Sequence, residues 1–457
     1  MSLSSYADAL RYLYGFVDYE RRPAGDPERY DLDRVRRLVQ ALGNPERRYR
    51  IVHVAGTKGK GSTCAMVESV LRAIGLRTGL YTQPHLHTFR ERIRVAGRMI
   101  SEEGFVKQLS ALRLLVEETP GLTTYEIATA LALRHFAQEG VEVAVVEVGL
   151  GGRLDATNVV MPAVSVLTRI GYDHTDILGT RLDQIAAEKA GIVKPGRPVV
   201  MAPQRPTADR TVARICRERG APLTRVARLF SWQRQSWDLS GQDLDLSGPH
   251  GQALDGLRIP LLGEHQLENA ATAVATCLGL AEEGAVLSEA GLRDGLASTI
   301  WPGRMEILSA SPLLVVDGAH NVDSAQALAR ALSDYLASRE ISWILGFLTG
   351  HDPRAFFRGI FQLGGRAILT RSQHPRAVEP DRLAQIARSL GTRFEVVSST
   401  ATALDRALSV AGSRDLICAT GSLSIVAEVR AAWLRSQGHP PAEDPADSPP
   451  GRAGQPL

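Results

Sequence analysis

From residue 50 onward, short apolar runs alternate with segments whose apolar residues recur at helical spacing. The run VAVVEV at 143–148 is apolar at nearly every position, as expected for a parallel strand that is buried on both faces. Further strands are predicted in RIVHVAG, LRTGLYT, AVSVLTRI and RPVVMA. After the first strand, a helix that ends at Gly75 is predicted from the apolar stripe Met66, Val67, Val70, Leu71 and Ile74. This alternation indicates βαβ units and an open parallel sheet covered by helices.

Residues 203–260 interrupt the alternation, because SWQRQSWDLSGQDLDLSG is rich in polar and turn residues and predicts a hairpin-rich insertion. The Pro-Gly pair in IWPGRMEI marks the expected connection between two domains. A second alternating series follows, with strands predicted in PLLVVDGAHN, ISWILGF, RAILT, FEVV and DLICATGS. We therefore expect α/β domains at 1–302 and 303–436, the second with a smaller parallel sheet. Residues 437–457, rich in Pro, Gly, Ala and Asp, predict a disordered tail.

Composition narrows the class of protein. The chain has 457 residues, of which 44% are hydrophobic and 23% charged, as in a soluble protein of two domains. A net charge of +3 does not favour nucleic acid or an anionic membrane as a partner, and no run approaches the ~18 apolar residues of a membrane span. The N-terminus lacks a signal-peptide pattern, and the four cysteines are scattered without a C-x-x-C pair. A reducing, cytoplasmic location is therefore expected.

A glycine-rich loop, GTKGKGSTC, follows the first of these strands from Gly56 to Cys64. It differs from the phosphate-binding pattern G-x-x-x-x-G-K-[ST], because Val54 stands at the first glycine position and the hydroxyl residue comes one place late. Its place between a strand and a helix still suits an anion, since glycines let N–H groups converge and the helix N-terminus adds positive potential. Lys60 can neutralise phosphate charge, and Ser62 or Thr63 can reach a magnesium ion. From the pattern alone, a glycine turn with surface lysines is the alternative.

Two more predicted strands end in candidate cation ligands. Glu147 closes a buried strand, and His174 lies between two aspartates in IGYDHTDILG. Ligands bind at the carboxyl ends of parallel strands, and magnesium favours oxygen ligands. The same residues also fit a turn cap at Glu147 and a helix cap around His174. Lys189, among the small residues of QIAAEKAGIVKPG, is by default a solvated lysine or a partner of Glu188.

The loop pattern G-T-x-G-K-G-[ST] and the order of these motifs resemble the Mur ligase superfamily, in particular its folylpolyglutamate synthase/dihydrofolate synthase branch, from about residue 40 to residue 430. The resemblance implies a P-loop-type parallel-sheet N-terminal domain and a smaller Rossmann-like C-terminal domain. It also implies that Glu147 and His174 bind metal and that Lys189 is carbamylated, becoming an anion that steadies a second magnesium. Lys58 stands where the family commonly has Asn, and Gln83 in YTQPHLHTFRERI stands where it has a metal-binding serine.

The resemblance assigns the remaining site residues in groups. The implied nucleotide site comprises Gly56, Thr57, Lys58, Gly59, Lys60, Gly61, Ser62, Asn269, Arg304 and Asp317. The implied pterin site comprises Thr123, Thr124, Tyr125, Glu126, Leu154, Asp155 and Ala156, with Tyr125 in the place of a Phe. The implied metal ligands are Ser62, Gln83, Glu147, His174 and Lys189, and the catalytic candidates are Lys60, Lys189 and His320. Taken singly, these residues also fit a helix start, a helix interior, a surface ion pair and a turn.

The activity implied by the resemblance is ATP-dependent addition of L-glutamate to folates, with dihydropteroate as a further acceptor, through an acyl phosphate. ATP, Mg²⁺ at two sites, K⁺ and a monomeric chain are implied with it. One departure is LTGHDPR, where only Asp352 remains of a D-K-D motif. Two alternatives stay open. A Mur-type ligase for a peptidoglycan precursor does not need the pterin segment, and a nucleotide-binding regulator need not keep Glu147, His174 and Lys189 together.

Overall fold

The computed structural model describes residues 3–18, 20, 31–284, 286–335 and 340–445. The strands of the first sheet are β1 (Arg50–Ala55), β2 (Thr78–Tyr81), β3 (Ile93–Val95), β4 (Arg98–Met99), β5 (Val143–Glu147), β6 (Val164–Leu167), β7 (Val199–Met201) and β8 (Leu223–Arg225). They lie in the order β4-β3-β2-β5-β1-β6-β7-β8. Neighbours from β2 to β8 pair in parallel, and β3 and β4 form an antiparallel edge. The predicted parallel sheet is confirmed.

The central strands of this sheet bring three chain segments to one edge. Val54 of β1 pairs with Glu147 of β5 on one side and with Val166 of β6 on the other, so the three carboxyl ends lie level.

The helices of this part are α1 (Tyr6–Leu13), α2 (Leu32–Ala41), α3 (Lys60–Ala73), α4 (Glu102–Glu117), α5 (Thr124–Gln138), α6 (Thr175–Leu178), α7 (Leu182–Lys189), α8 (Pro206–Glu218), α9 (Val226–Leu229), α10 (His265–Glu282) and α11 (Glu289–Ala297). One core cluster joins the sheet to α3, α10 and α11, and another joins it to α1, α4 and α5. The sheet is therefore covered on both faces.

The hairpin-rich insertion predicted at 203–260 is present only in its second part, from residue 231 onward. An antiparallel sheet of three strands consists of β9 (Ser231–Asp238), β10 (Gly241–Ser247) and β11 (Ala253–Ile259). The prediction is wrong before it, because α8 and α9 are helices and β8 is an edge strand of the first sheet. In α8, Ala208, Val212 and Ile215 are buried at helical spacing, which the many charged neighbours obscure in the sequence.

The second sheet contains β12 (Glu306–Ala310), β13 (Leu313–Val316), β14 (Ile341–Leu345), β15 (Arg366–Leu369), β16 (Arg393–Val396) and β17 (Leu416–Thr420). Their order is β12-β13-β17-β14-β15-β16, with β12 antiparallel and the others parallel. Its helices are α12 (Val322–Ser333), α13 (Pro353–Ile360), α14 (Pro380–Ser389), α15 (Thr400–Val410) and α16 (Leu423–Ser436). The second α/β sheet is confirmed, whereas the division of the chain at 302 and 303 stays a prediction.

The chain returns to the first domain after α16. Asp444 accepts hydrogen bonds from Tyr6 Oη at 2.8 Å, from Thr88 Oγ1 at 2.7 Å and from the Phe89 N–H at 3.1 Å. The predicted disordered tail is corrected here, since residues 437–445 follow a described path and composition does not reveal that one carboxylate meets three donors. Residues 446–457 of that predicted tail lie outside the described residues. None of the helices in the described part of the chain combines the length and apolar character of a transmembrane span.

Candidate active site

The loops that follow β2, β5, β1 and β6 open into one cleft of about 1700 Å³, which residues of the second domain also line. These strands are neighbours in the sheet, so their carboxyl ends meet at one edge. Most predicted site residues line the cleft. The other three predicted site residues, Gly56, Thr124 and Lys189, do not line the cleft and lie behind its wall.

The glycine-rich loop is held by close contacts that require glycine. A Cβ on Gly56 would lie 1.9 Å from Thr168 Oγ1, and one on Gly59 would lie 2.3 Å from Asn269 Oδ1. Gly59 has φ 87° and precedes α3, which begins at Lys60. The first turn of a helix leaves N–H groups without intrahelical partners, so this turn presents donors and a positive dipole end to the cleft. The arrangement is that of an anion-binding loop.

Oxygen ligands suited to magnesium gather beside this loop. Glu147 is buried, and burial raises the pKa of its carboxyl while Lys60, with Nζ 3.9 Å from Oε1, lowers it. The N–H of Gln83 donates to Glu147 Oε2 at 3.3 Å. Gln83 Oε1 and Thr63 Oγ1 are shielded from solvent and have no hydrogen-bond partner among the described residues. The unpaired oxygen of Gln83, a residue in contact with the buried Glu147 carboxylate, fits a hard cation.

The described residues contain no group of three or more His, Cys, Asp or Glu side chains arranged to hold a metal ion. His174, the other predicted ligand, has a left-handed backbone with φ 48° and ψ 44°, and half of its side chain is exposed. A non-glycine residue in this region is uncommon and often marks a functional site.

Lys189 is buried at the end of α7, and its Nζ donates to the Gly56 carbonyl at 3.0 Å. Burial and the neighbouring charge of Lys60 lower its pKa to about 7. Glu188 pairs with Arg153 at 3.0 Å, so both default interpretations of Lys189 are wrong. A lysine with this pKa is partly neutral at physiological pH, and the neutral amine is the form that attacks CO₂.

A cluster of polar side chains joins the two domains across the cleft. Lys58 Nζ donates to Asp173 Oδ2 at 3.2 Å and to His320 Nε2 at 3.3 Å, and Asn321 Nδ2 donates to the same Asp173 oxygen at 3.3 Å. Because His320 Nδ1 donates to the Gly318 carbonyl at 2.8 Å, its Nε2 is the acceptor. Although burial opposes it, Lys58 holds the pKa of Asp173 well below its usual range. The sequence did not identify Asp173 or Asn321 as bridging residues, although the two flanking aspartates were visible.

Asn269, Arg304 and Asp317 line the same cleft. Asn269, on α10, turns Oδ1 toward Gly59 while its Nδ2 donates to Gln266 Oε1 at 2.9 Å. Asp317 follows β13 and accepts the N–H groups of Met305 and Ala319, each at 2.8 Å. Asp317 thus shapes the connection beside Arg304.

The predicted pterin segment is divided between helix capping and the cleft wall. Thr123 and Glu126 form a capping box, with the Thr123 N–H donating to Glu126 Oε2 at 2.7 Å. Thr124 Oγ1 donates to the Leu13 carbonyl at 3.0 Å, away from the cleft. The lining residues of the two predicted pterin segments are Thr123, Tyr125, Glu126, Leu154, Asp155 and Ala156. The helix-start alternative and the binding-site hypothesis therefore both apply to this segment.

Comparison with known proteins identifies the family. Residues 54–277 match the Mur ligase middle domain, and residues 303–423 match the Mur ligase, glutamate ligase domain. The chain is 31% identical over 439 residues to the dihydrofolate synthase/folylpolyglutamate synthase of Bacillus subtilis (strain 168), covering 93% of this chain and 99% of the relative.

Solved structures agree with this match. The Mycobacterium tuberculosis folylpolyglutamate synthase complexed with ADP superposes with a TM-score of 0.85 at 31% identity, over 94% of this chain and 98% of that one. E. coli FolC in complex with DHPP and ADP superposes with a TM-score of 0.84 at 32% identity, over 95% of this chain and 99% of that one. The chain therefore belongs to the folylpolyglutamate synthase/dihydrofolate synthase family of ATP-dependent Mur ligases.

Proposed function

We propose that this protein is an ATP-dependent ligase that joins L-glutamate to folates and also to dihydropteroate. The observation that carries the proposal is the shared cleft. It brings the glycine-rich loop, the oxygens of Glu147 and Gln83, and the wall around Tyr125 and Asp155 to one edge of the sheet. A nucleotide, a cation and a pterin acceptor would thus be neighbours.

The reaction would proceed in two displacements. A carboxylate oxygen of the acceptor attacks the γ-phosphorus of ATP, which gives an acyl phosphate and releases ADP. The amine of L-glutamate then attacks the acyl carbon, and the amide forms as phosphate leaves and the amine loses a proton. Lys60 and Arg304 line the cleft where they offset charge on the phosphoryl group. Closure between the two domains would exclude water from an intermediate that hydrolyses easily.

His320 would act in its neutral form. Burial and the charge of Lys58 lower its pKa well below the usual range, so Nε2 stays unprotonated at neutral pH. That nitrogen accepts a hydrogen bond from Lys58 across the domain boundary. We propose that it receives a cationic group or the incoming amine rather than serving as a charged donor.

The cation site would use Glu147, Gln83, Ser62 and His174. Magnesium, when bound, supplies Lewis-acid stabilisation of phosphoryl oxygens. We further propose that the Lys189 amine adds to CO₂, losing a proton and forming a carbamate that serves a second magnesium. The low pKa of Lys189 supports this step. We propose K⁺ as an additional ion, and the effect of added K⁺ on the rate of ADP release tests this proposal.

The experiment that tests the function is ADP release by the purified protein with Mg-ATP and L-glutamate. It compares tetrahydrofolate, dihydropteroate and no acceptor, with Lys60→Ala as the inactive control. Release with both acceptors supports a bifunctional ligase, and release with tetrahydrofolate alone limits the proposal to polyglutamate synthesis. A rate that neither acceptor raises above background contradicts the folate assignment.

We also propose a monomer in the cytoplasm. All four cysteines are free and buried, which supports a reducing compartment. Sedimentation velocity tests the monomer, and cell fractionation tests the location.

A further inference from the structure

The side-chain amide of Gln83 has only one orientation that its neighbours permit. Nε2 lies 2.9 Å from the Glu147 backbone carbonyl and 2.9 Å from Tyr125 Oη. A backbone carbonyl only accepts hydrogen bonds, so the amide atom beside it must be the NH₂ group. The hydrogen-bond network therefore assigns the nitrogen and the oxygen of this amide.

The hydroxyl of Tyr125 is set up to accept from that NH₂ group. Its single proton is directed to Asp155 Oδ1 at 3.2 Å, which leaves its lone pairs for donors. They receive Gln83 Nε2 and the N–H of Gly149, the latter at 3.0 Å. Asp155 is itself fixed by the N–H groups of Leu150 and Thr157, at 2.9 Å and 3.0 Å. A directed chain of hydrogen bonds thus runs from the buried Asp155 to the Gln83 amide.

The amide oxygen of Gln83, Oε1, is the atom that this hydrogen-bond network leaves without a donor. It is shielded from solvent and has no hydrogen-bond partner among the described residues, although buried polar atoms are nearly always paired. The carboxylate of Glu147 is next to the same residue, since the Gln83 N–H donates to Glu147 Oε2 at 3.3 Å. A magnesium ion lies about 2.1 Å from its ligand oxygen. A hydrogen-bonded water oxygen lies farther away, at about 2.8 Å. A space beside Oε1 that is too small for water can therefore still hold the ion.

We propose that Tyr125 is a positioning residue for the cation site. Its hydroxyl holds the Gln83 amide so that Oε1 serves as a cation ligand beside Glu147. This inference rests on the proposed function and adds a role for Tyr125 besides lining the acceptor wall.

The test is Mn²⁺ binding to the full-length protein, measured from the electron paramagnetic resonance signal of the free ion. The variants are Tyr125→Phe, Gln83→Met and the double variant. Tyr81→Phe is the matched control, because the Tyr81 ring stacks on Tyr125 with centroids 6.3 Å apart but its hydroxyl contacts Thr129 Oγ1. The Mg²⁺ concentration that half-saturates ADP release is measured in parallel.

We expect Tyr125→Phe to raise the Mn²⁺ dissociation constant about tenfold, the loss typical when a group that orients a ligand is removed. Gln83→Met raises it at least as much, and the double variant binds like Gln83→Met alone, because Tyr125 acts through Gln83. Tyr81→Phe leaves it unchanged. The Mg²⁺ half-saturation point of Tyr125→Phe rises with its Mn²⁺ constant.

Unchanged Mn²⁺ affinity in Tyr125→Phe, or losses that add in the double variant, overturn the inference. A matching loss in Tyr81→Phe overturns it as well, because the effect would then not depend on the amide contact. Far-UV circular dichroism confirms that each variant is folded. Failure of the proposed function is separate, since it appears as absent folate-dependent ADP release in the unmodified protein whatever the Mn²⁺ result.

Discussion

Replacing Lys189 with Met is expected to change how the stability of the first domain depends on pH. Lys189 Nζ is buried and donates to the Gly56 carbonyl at 3.0 Å, and burial and Lys60 lower its pKa to about 7. In an unfolded chain a lysine titrates near 10.4, so roughly three pH units separate the two states. Between these values the unfolded chain holds a proton that the folded protein lacks.

The sign and size of the effect follow from this difference. A lowered pKa in the folded state means that stability rises with pH above 7 and is lost as pH falls toward 7. Between pH 7 and pH 9 the gain from this one group is about 2 kcal/mol. Lys189→Met also removes the hydrogen bond to Gly56, which costs about 1 kcal/mol at every pH. Because that loss is the same at every pH, it shifts the plot of unfolding free energy against pH without changing its slope. The slope therefore reports the pKa of Lys189, and the constant offset reports the hydrogen bond.

The assay is urea unfolding of both proteins at several pH values from 7 to 9, in buffers free of CO₂ to prevent carbamate formation. Tryptophan fluorescence and far-UV circular dichroism follow the unfolding of both proteins. Groups remote from Lys189 titrate alike in both proteins, so the difference between the two free energies reports Lys189 together with His174, whose pKa Lys189 lowers. A difference that stays constant from pH 7 to pH 9 would refute the reasoning, because the amine would then be charged throughout and unable to attack CO₂.

Three further substitutions test the contacts around the loop. Lys60→Ala is expected to abolish ATP turnover with little change in thermal midpoint, and normal ADP release by this variant would contradict the loop assignment. Gly59→Ala places a Cβ 2.3 Å from Asn269 Oδ1 at a φ of 87°, and we expect a loss of about 2 kcal/mol in urea unfolding; equal stability would show that this contact is absent. Lys58→Met removes the donor that reaches His320 from the first domain, so we expect a larger radius of gyration in small-angle scattering without nucleotide. Identical scattering would mean that Lys58 does not hold the domains together.

Local pattern accounts for much of the fold and for the presence of the site. The two parallel sheets were predictable because buried strands read as apolar runs and the intervening helices carry apolar stripes. The loop from Gly56 to Ser62 was recognisable because a strand, glycines and a helix start follow one another directly. The pattern failed in α8, where charged residues hide the buried positions Ala208, Val212 and Ile215.

Local sequence pattern could not predict which polar side chains are buried or which groups they contact. Lys189 looks like a solvated lysine among alanines, yet α7 places its amine against the carbonyl of Gly56. Asp444 lies in a segment with the composition of a disordered tail and still meets the hydroxyls of Tyr6 and Thr88. Gln83 and Tyr125 were each only a departure from a family pattern until the structure showed them in contact.

The sequence by itself determined that strands and helices alternate, that a glycine-rich loop follows β1, and which side chains stand at strand ends. Only the tertiary structure decided which of those side chains share a site. The reason is that the order β2-β5-β1-β6 in the sheet differs from the order along the chain. The distances that set pKa values and orient an amide arise from that spatial order, and no local pattern encodes them.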